Sequence, residues 1–243
     1  MKLVCFIPTK SRFTTKTYQL FENANIDTYH FIEPQEFNKY NVPNKIDIKK
    51  NNTGVTYVRN FMLDYAKKIN LEWVIFCDDD VTQFGVFDGK TKKLDANIWH
   101  IILGKAKKLP FELVGINYQQ HAWHEKKSYS INKKFVEVCV LMNVKNINWK
   151  YTDNTKEDRD FQLQTIKNGN GALKFNHYFF ACPNVGSNSG GLQKEYQSKK
   201  DKDWAINLTK KWHPFTKLVS KKGRVDCKVD IKEFAKHNKK IVK

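Results

Sequence analysis

The chain has 243 residues, 40% hydrophobic and 14% aromatic, which suffices for the core of a large α/β domain and excludes a disordered chain. No stretch approaches the roughly 20 apolar residues of a membrane helix, and the scattered cysteines lack the spacing of a zinc or disulfide framework. The net charge of +18, with 16 Lys/Arg against 6 Asp/Glu in the last 50 residues, favours a polyanionic partner such as nucleic acid.

Apolar runs of strand length alternate with helical periodicities along the chain, as is typical of a sheet with crossover helices. In chain order, the patterns predict a strand at 3–8, a helix at 14–23, a strand at 28–33, a strand end with a loop at 45–53, a helix at 57–69, a strand at 72–77, a helix at 98–109, strands at 113–118 and 135–143, a helix at 158–168, a strand at 173–181 and a helix at 204–212. The fold class is therefore α/β, with a mixed, mostly parallel sheet and flanking helices. We expect one catalytic domain over residues 1–192 and a basic C-terminal extension over residues 193–243, which holds the helix at 204–212, has an irregular end and would contact nucleic acid.

Three adjacent carboxylates follow the predicted strand at 72–77. They are Asp78, Asp79 and Asp80. In open α/β sheets, ligands bind beyond the carboxyl ends of the strands. Adjacent carboxylates repel one another unless a cation compensates them, and Mg²⁺ and Mn²⁺ prefer such oxygen ligands. The pattern predicts a divalent metal site, with a solvated acidic turn as the alternative.

Two segments have side chains that suit a phosphate group. The first predicted strand leads into Pro8, Thr9, Lys10, Ser11 and Arg12, whose two cations and two hydroxyl groups could hold a diphosphate or a nucleotide. Further along, Gly54 opens a helix that carries Arg59, and a helix N-terminus favours phosphate. In both places the alternative is an ordinary solvated surface.

Acidic residues also open the predicted helix at 158–168. They are Glu157, Asp158 and Asp160. A carboxylate in this position could act as a general base for an acceptor hydroxyl. Acidic residues in a first turn also complement the helix dipole, so helix capping is the alternative.

The remaining candidates lie in the second half of the chain. His177 could serve as a nitrogen ligand of Mn²⁺, although a lone histidine is more commonly structural. A glycine- and serine-rich loop could bring backbone N–H groups close to a phosphate or sugar, through Ser187, Asn188, Gly190 and Gly191. Trp123, beside His124, could stack on a base, with a core position as the alternative.

Taken in order, these segments resemble a GT-A glycosyltransferase over residues 2–192. The resemblance is carried by Pro8-Thr9-Lys10-Ser11-Arg12, the Gly54-x₄-Arg59-Asn60 helix start, the Asp78-x-Asp80 motif and Glu157-Asp158 before a helix. Residues 157–161, 176–178 and 187–192 further resemble the phage DNA glycosyltransferases associated with TET-type base oxygenases, which are related to the base J glucosyltransferases. This implies a Rossmann-like GT-A fold, a Mn²⁺ or Mg²⁺ ion, a UDP-sugar as the nucleotide-sugar donor, and hydroxymethylpyrimidine in double-stranded DNA as the acceptor.

The resemblance also implies a role for individual residues. Asp78 would contact the donor ribose or the metal, Asp80 would bind the metal, and Asp79 would occupy the variable middle place at the donor. Arg59 would lie near the donor base and diphosphate. Asp158, with Glu157 beside it, would be the base of an inverting enzyme, and that role fails if the enzyme is retaining. His177 would be the third metal contact, with His213 as its rival, and Trp123, His124 and Asp160 would face the acceptor.

Three rival functions stay open from the sequence. The first is a GT-A enzyme that acts on a glycan or a protein. The second is a metal-dependent nuclease or nucleotidyl transferase that uses the aspartates and Glu157. The third is a non-catalytic DNA-binding module. With no signal peptide or membrane span in the sequence, we expect a cytoplasmic protein without a membrane partner, inside an infected host cell if the gene belongs to a bacteriophage.

Overall fold

A computed structural model describes residues 2–184, 187, 190–191, 193, 198, 200–221 and 224–238. Within these ranges, one ten-stranded sheet carries helices on both faces, and a two-stranded hairpin is separate from it. The predicted mixed α/β architecture is thereby confirmed. No helix within the same ranges is long and apolar enough to cross a membrane.

Most strands of the large sheet run in one direction. They are β1 (Val4–Thr9), β2 (Asp27–Ile32), β3 (Lys45–Asp47), β4 (Trp73–Cys77), β5 (Gln83–Asp88), β6 (Lys90–Leu94), β7 (Leu113–Tyr118), β8 (Tyr129–Ile131), β9 (Cys139–Asn143) and β10 (Ala172–Ala181). Across the sheet the order is β3-β2-β1-β4-β9-β7-β10-β5-β6, and β8 pairs with β10. Strands β5, β8 and β9 run against the others. Because β1 and β4 are parallel neighbours, the loops that follow them meet at one edge of the sheet.

Helices cover both faces of the sheet. They are α1 (Gln19–Glu22), α2 (Gly54–Lys68), α3 (Ile98–Ala106), α4 (Gln119–Ala122), α5 (Glu157–Asn168), α6 (Lys200–Lys211) and α7 (Ile231–His237), with 3₁₀ turns at Pro34–Lys39 and Val144–Asn146. Cys5 and Ile7 of β1 face α1 and α3, whereas Val4 and Phe6 face α2 and α5. Burial on both faces explains why β1 and β4 are continuous apolar runs in the sequence.

The C-terminal segment contains the helix predicted at 204–212, but its end is not irregular as the sequence patterns predict. Its described residues form α6, a hairpin of β11 (Thr216–Lys221) and β12 (Arg224–Val229), and α7. Apolar side chains from these elements, including Trp212 and Phe234, share a core cluster with Leu163 and Ile166 of α5. The segment therefore packs directly against the helix that carries the predicted base.

One predicted helix is shorter in the structure because side chains hold part of its backbone in turns. The predicted helix at 14–23 shrinks to the short α1. Thr15 Oγ1 donates to the carbonyl of Asp79 (2.6 Å), and Thr17 Oγ1 donates to that of Val81 (2.9 Å). These bonds tie the segment to the end of β4 in a non-helical conformation.

The predicted strand at 135–143 begins only at Cys139. Val138 has a φ of 67°, which is a strained conformation for a β-branched residue, and the N–H of Cys139 donates to the carbonyl of Glu137 (2.7 Å). The resulting tight turn places Glu137 and Val138 at the same edge of the sheet as the ends of β1 and β4. The sequence patterns do not predict β5, β6 and β8, whose residues are mostly exposed or half-buried.

Candidate active site

A cavity of about 480 Å³ opens at the carboxyl ends of β1 and β4. We call one part of its lining the strand wall, defined as Pro8, Thr9, Lys10 and Arg12 after β1 and Asp78, Asp79 and Asp80 after β4. We call a second part the helix wall, defined as Glu137, the first residues of α5 with Lys156 before them (156–159), and residues 224–226 of β12. The three adjacent aspartates and the acidic start of α5 therefore line one cavity.

Arg12 holds two of the three aspartates in the strand wall. Its Nη1 forms an ion pair with Oδ1 of Asp79 and lies 3.2 Å from Oδ2 of Asp80. Asp79 is buried, and its Oδ2 has no hydrogen-bond partner among the described residues. Asp79 thus joins the loop after β1 to the loop after β4. Of these two aspartates, Asp80 is the more exposed to the cavity.

The loop after β1 is fixed by a buried acid and by the glycine-rich segment. Lys10 Nζ donates to Oε1 of Glu33 (2.9 Å), and the N–H of Gly191 donates to the carbonyl of Lys10 (3.0 Å). Gly190 has a φ of 81°, and a Cβ there would lie 2.7 Å from the carbonyl oxygen of Ser11. Only glycine fits this approach without strain. The segment therefore supports the strand wall, and Gly191 also lines the cavity.

Arg159 organises the helix wall. Its Nε lies 3.3 Å from Oε1 of Glu137, and its Nη1 lies 3.1 Å from Oδ1 of Asp226. It thereby connects the turn before β9, the start of α5 and the C-terminal hairpin. Asp158 accepts a hydrogen bond from the backbone N–H of Arg159 (2.7 Å). In the described part of the chain, no side-chain donor hydrogen-bonds Asp158, so its carboxylate is available to a ligand.

Arg59 joins the two walls. Its Nη2 lies 3.2 Å from Oδ1 of Asp78, and its Nη1 donates to Oε1 of Glu157 at 2.9 Å. The guanidinium carbon is 5.6 Å from the ring centre of Tyr151, which stacks in turn on Phe161. A planar guanidinium suits this double pairing and a cation–π contact at once.

Four carboxyl groups of the cavity have raised pKa values because they are buried. Burial raises the pKa of Asp78 to about 6 and that of Asp79 to about 7, against the opposing effect of their arginine partners. Burial and the neighbouring Asp158 raise the pKa of Glu157 to about 7, and they raise the pKa of Glu137. An additional cation in the cavity would stabilise the ionised forms.

The donor atoms fit a divalent cation that shares its shell with a substrate. The Asp78 and Asp80 side chains are 34% and 20% exposed, so both can present oxygen atoms to the cavity. Across the described ranges, no group of three or more His, Cys, Asp or Glu residues is placed to hold a metal. Mg²⁺ is commonly bound through one or two carboxylates together with substrate phosphates. Asp78 and Asp80 fit that mode, and they do not fit an ion held by protein side chains alone.

The structure places two of the predicted site residues elsewhere. The ring Nε2 of His177 is hydrogen-bonded to the carbonyl of Glu125 (2.9 Å), and His177 does not line the cavity. It is therefore not placed to complete a metal site with the aspartates. Asp160 is fully buried, where it accepts hydrogen bonds from Trp212 Nε1 (2.7 Å) and Lys211 Nζ (2.9 Å). It is a structural link between α5 and α6 and cannot contact an acceptor.

Other candidates lie on the surface outside the cavity. Trp123 is 48% exposed, so the alternative of a core position is wrong, and His124 beside it is exposed too. Ser187 is exposed, and its hydroxyl donates to the carbonyl of Asn184 (2.7 Å). Asn188 lies outside the described residues. His213, the rival metal ligand, is exposed and does not line the cavity.

Sequence analysis missed several residues that line the cavity. Glu137 lies between Val136 and Val138, and a charged residue inside such an apolar run is itself a signal. Tyr118 ends β7 at the ligand-binding edge of the sheet, so the strand-end rule could have identified it. Arg224 has no comparable local signal, because only the packing of the C-terminal hairpin brings it to the cavity.

In a comparison of the chain with known protein families, the family described as "TET-Associated Glycosyltransferase" matches residues 3–191. No curated protein sequence matches the chain significantly. The family match spans both the aspartate motif and the start of α5.

Among solved structures, the chain is similar to glucosyl-3-phosphoglycerate synthase from Mycobacterium tuberculosis. The complex of that enzyme with Mn²⁺, UDP and glucosyl-3-phosphoglycerate has a TM-score of 0.52 and 8% identity, over 94% of this chain and 86% of that one. Its complex with Mn²⁺, UDP-glucose and glycerol 3-phosphate has a TM-score of 0.51 and 7% identity, over 96% and 91% of the two chains. At this identity the similarity establishes a shared fold.

Proposed function

The chain belongs to the TET-associated glycosyltransferase family, and we propose that it transfers a sugar from a UDP-sugar to a hydroxymethylpyrimidine in DNA. Its membership makes it a glycosyltransferase with a GT-A fold, which decides against the nuclease and the non-catalytic binding module. The proposal concerns the donor, the metal, the acceptor and the residues that serve each.

One observation carries the proposal. Asp78 and Asp80 at the end of β4 share a cavity with Glu157 and Asp158 at the start of α5, and Arg59 links the two groups by ion pairs. A transferase needs a site for a charged donor beside a site for the hydroxyl that attacks it. The strand wall and the helix wall would supply these two sites in a single cavity.

The strand wall is assigned to the donor. Asp78 and Asp80 would hold a Mn²⁺ or Mg²⁺ ion, as argued above from their exposure and chemistry. When bound, that ion would neutralise the charge that develops on the leaving diphosphate. Arg12 and Lys10 supply fixed positive charge at the same wall, where they can orient the phosphates. The structural relative has been solved with Mn²⁺ and UDP or UDP-glucose, which supports this donor class.

Asp158 is assigned as the general base on the helix wall. Glu157 is a weaker candidate, because its Oε1 is bound to Arg59 and its pKa is raised to about 7 by burial and by Asp158. The Asp158 carboxylate has no competing side-chain donor in the described part of the chain. It can therefore accept the proton of the attacking hydroxymethyl group while Arg59 and Glu157 hold the start of α5 in place.

The acceptor assignment rests on the family and on charge. The family is named for its association with TET proteins, and the chain carries a formal net charge of +18, which suits a DNA polyanion. The hydroxymethyl group of a stacked base lies in the groove of the duplex, so the target base would have to leave the stack to bring it to carboxylates that line a cavity. An enzyme of this kind encoded by a phage would act in the cytoplasm of the infected cell.

A transfer assay tests the proposal. Purified protein with Mn²⁺ is incubated with a panel of nucleotide sugars and with DNA that contains cytosine, hydroxymethylcytosine or hydroxymethyluracil, and the digested nucleosides are analysed by mass spectrometry. We expect a sugar-sized mass gain on one hydroxymethylated base with a UDP-sugar donor. Donor hydrolysis without any DNA product would leave the glycosyltransferase but overturn the acceptor, and would favour a glycan or protein in its place.

A further inference from the structure

An exposed segment with aromatic and basic side chains runs from the end of α4 to the first residue of β8. We call residues 121–129 the α4–β8 segment. Trp123 is 48% exposed and Tyr129 is 54% exposed, and Lys126 and Lys127 between them are exposed as well. Aromatic residues are enriched where proteins contact partners, and here two exposed aromatic side chains flank a pair of exposed lysines.

Internal hydrogen bonds fix the backbone of this segment. The Asn176 side chain donates to the carbonyl of Lys127 (2.9 Å), and the Asn176 N–H donates to the carbonyl of Ser128 (2.8 Å). His177 binds the carbonyl of Glu125 (2.9 Å). Strand β10 changes its register against β7 between residues 175 and 179, where Asn176 and His177 lie. The irregular part of β10 thus acts as a support for the α4–β8 segment.

Glu125, the acidic residue of the segment, is ion-paired, so the charge that the segment presents to solvent is positive. Glu125 is paired with Lys134, whose side chain points back to it. Lys126 and Lys127 have no ion pair in the described part of the chain. The indole N–H of Trp123 already donates to the carbonyl of Gln120 (2.6 Å), so its ring face is what remains for a partner. The segment therefore offers cations and a π-face together.

The α4–β8 segment is also connected to the cavity. Tyr118 lines the cavity at the end of β7, and α4 starts at the next residue. The Tyr118 ring contacts the ring of His121, with centroids 6.1 Å apart. The segment therefore begins three residues after a side chain that lines the cavity, so a nucleic acid strand bound on it would lie near the cavity.

We propose that the α4–β8 segment is a DNA-contacting surface of the enzyme, an inference that rests on the function proposed above. Lys126 and Lys127 contact backbone phosphates, and Trp123 and Tyr129 stack on base faces that are exposed when the target base leaves the duplex. Phosphate contacts and base stacking are the two sequence-independent sources of affinity for such a strand. His177 and Asn176 are positioning residues for this surface.

Charge reversal with a matched control tests the phosphate contacts. The test variant is Lys126→Glu/Lys127→Glu, and the control is Lys107→Glu/Lys108→Glu, an exposed lysine pair before β7 rather than after it. The two variants have the same net charge, but their lysines lie at opposite ends of β7. Binding to a 30-base-pair duplex that contains hydroxymethylcytosine is measured by fluorescence anisotropy at several salt concentrations.

We expect the test variant to bind DNA at least about tenfold more weakly than the control, and its log–log salt slope to decrease by about 2. Binding of UDP with Mn²⁺ should be equal in both variants, which shows that the fold is intact. Equal DNA affinities of test and control variants overturn the proposal, as does a wild-type protein that does not bind DNA.

Replacement of the aromatic side chains tests the stacking. Trp123→Ala and Tyr129→Ala should each raise the KM for modified DNA by roughly 5- to 100-fold, with little change in kcat at saturating DNA. Trp123→Phe should recover most of the loss. Unchanged KM values in both alanine variants, measured where wild-type enzyme modifies DNA, overturn the stacking assignment. If wild-type enzyme modifies no DNA in the transfer assay, the proposed function itself fails.

Discussion

The two walls of the cavity differ in how their carboxylates are paired with arginine side chains. In the strand wall each aspartate has an arginine partner, since Arg12 pairs with Asp79 and Asp80 and Arg59 pairs with Asp78. In the helix wall Arg159 pairs with Glu137 and Asp226, whereas Asp158 has no side-chain donor in the described part of the chain.

This difference indicates separate tasks. Paired carboxylates in the strand wall are held in fixed positions, as a site for a metal and a diphosphate requires. A carboxylate without a competing donor in the helix wall keeps a lone pair for the proton of an acceptor. The predictions below either sharpen this division or break it.

The largest effect is expected in the strand wall. Asp80→Ala should lower the rate of sugar transfer by at least about 1,000-fold, because several kcal/mol of charge stabilisation at the diphosphate would be lost with the metal. Steady-state kinetics in Mn²⁺ measure this, and circular dichroism checks the fold. Asp88→Ala, which changes an exposed aspartate at the end of β5, is the control and should keep its activity. Near-normal transfer by Asp80→Ala would refute the metal assignment.

A second test compares the two neighbouring acids of the helix wall. Asp158→Asn should lower kcat by about 100- to 10,000-fold, which is the range for a general base. Glu157→Gln should lower it less, because Arg59 can still donate to the amide oxygen. A larger loss in the Glu157 variant would move the base role to Glu157.

Asp160 should affect stability rather than catalysis, although it lies two residues from the proposed base. Asp160→Asn should lower the free energy of unfolding by about 2 kcal/mol, because buried hydrogen bonds from Lys211 and Trp212 are weakened. The control Asp64→Asn removes an exposed ion pair with Lys150 and should cost less than about 0.5 kcal/mol. Urea denaturation measures both. A raised KM for DNA without loss of stability would restore Asp160 to the acceptor site.

The smallest effect concerns a lysine behind the helix wall. Lys174 is buried, its Nζ donates to the carbonyl of Phe135 (2.8 Å), and burial lowers its pKa to about 8. Between pH 8 and its ordinary pKa of about 10.5, the unfolded chain binds a proton that the folded chain does not. The free energy of unfolding therefore rises with pH across this window. The gain is complete above the window and is lost as the pH falls through about 8. Lys174→Met should flatten this slope in denaturation measured across the window, and an unchanged slope would contradict it.

The strand wall and the acidic start of α5 were predictable from the sequence, whereas the rest of the helix wall was not. Asp78–Asp80 and the loop at residue 8 follow apolar runs, and the carboxyl ends of parallel strands are the ligand-binding edge of such sheets. Glu137 depends on a strained turn at Val138, and Arg224 depends on the packing of a hairpin against α5. Such contacts between distant segments have no local pattern.

Two of the predicted site residues do not line the cavity, and the reason is related. His177 and Asp160 were selected by residue type, and each proved to have a structural partner that the sequence could not reveal. Asp160 meets Lys211 and Trp212, about 50 residues further along the chain, only because α6 packs on α5. His177 meets the backbone of Glu125 because β10 is irregular at that point. The residue type thus suggested a chemical role for His177 and Asp160, but their hydrogen-bond partners in the fold give each of them a structural role.

The division of the cavity is tested most directly by UDP affinity in the presence of Mn²⁺, measured by isothermal titration calorimetry for wild type, Asp80→Ala and Asp158→Asn. Because the strand wall is assigned to the donor, Asp80→Ala should bind UDP at least about tenfold more weakly, which corresponds to 1.4 kcal/mol. Asp158→Asn should bind UDP within about twofold of wild type while it fails to transfer sugar. Equal losses of UDP affinity in the two variants, or a loss confined to Asp158→Asn, would contradict the assignment of donor and acceptor to separate walls.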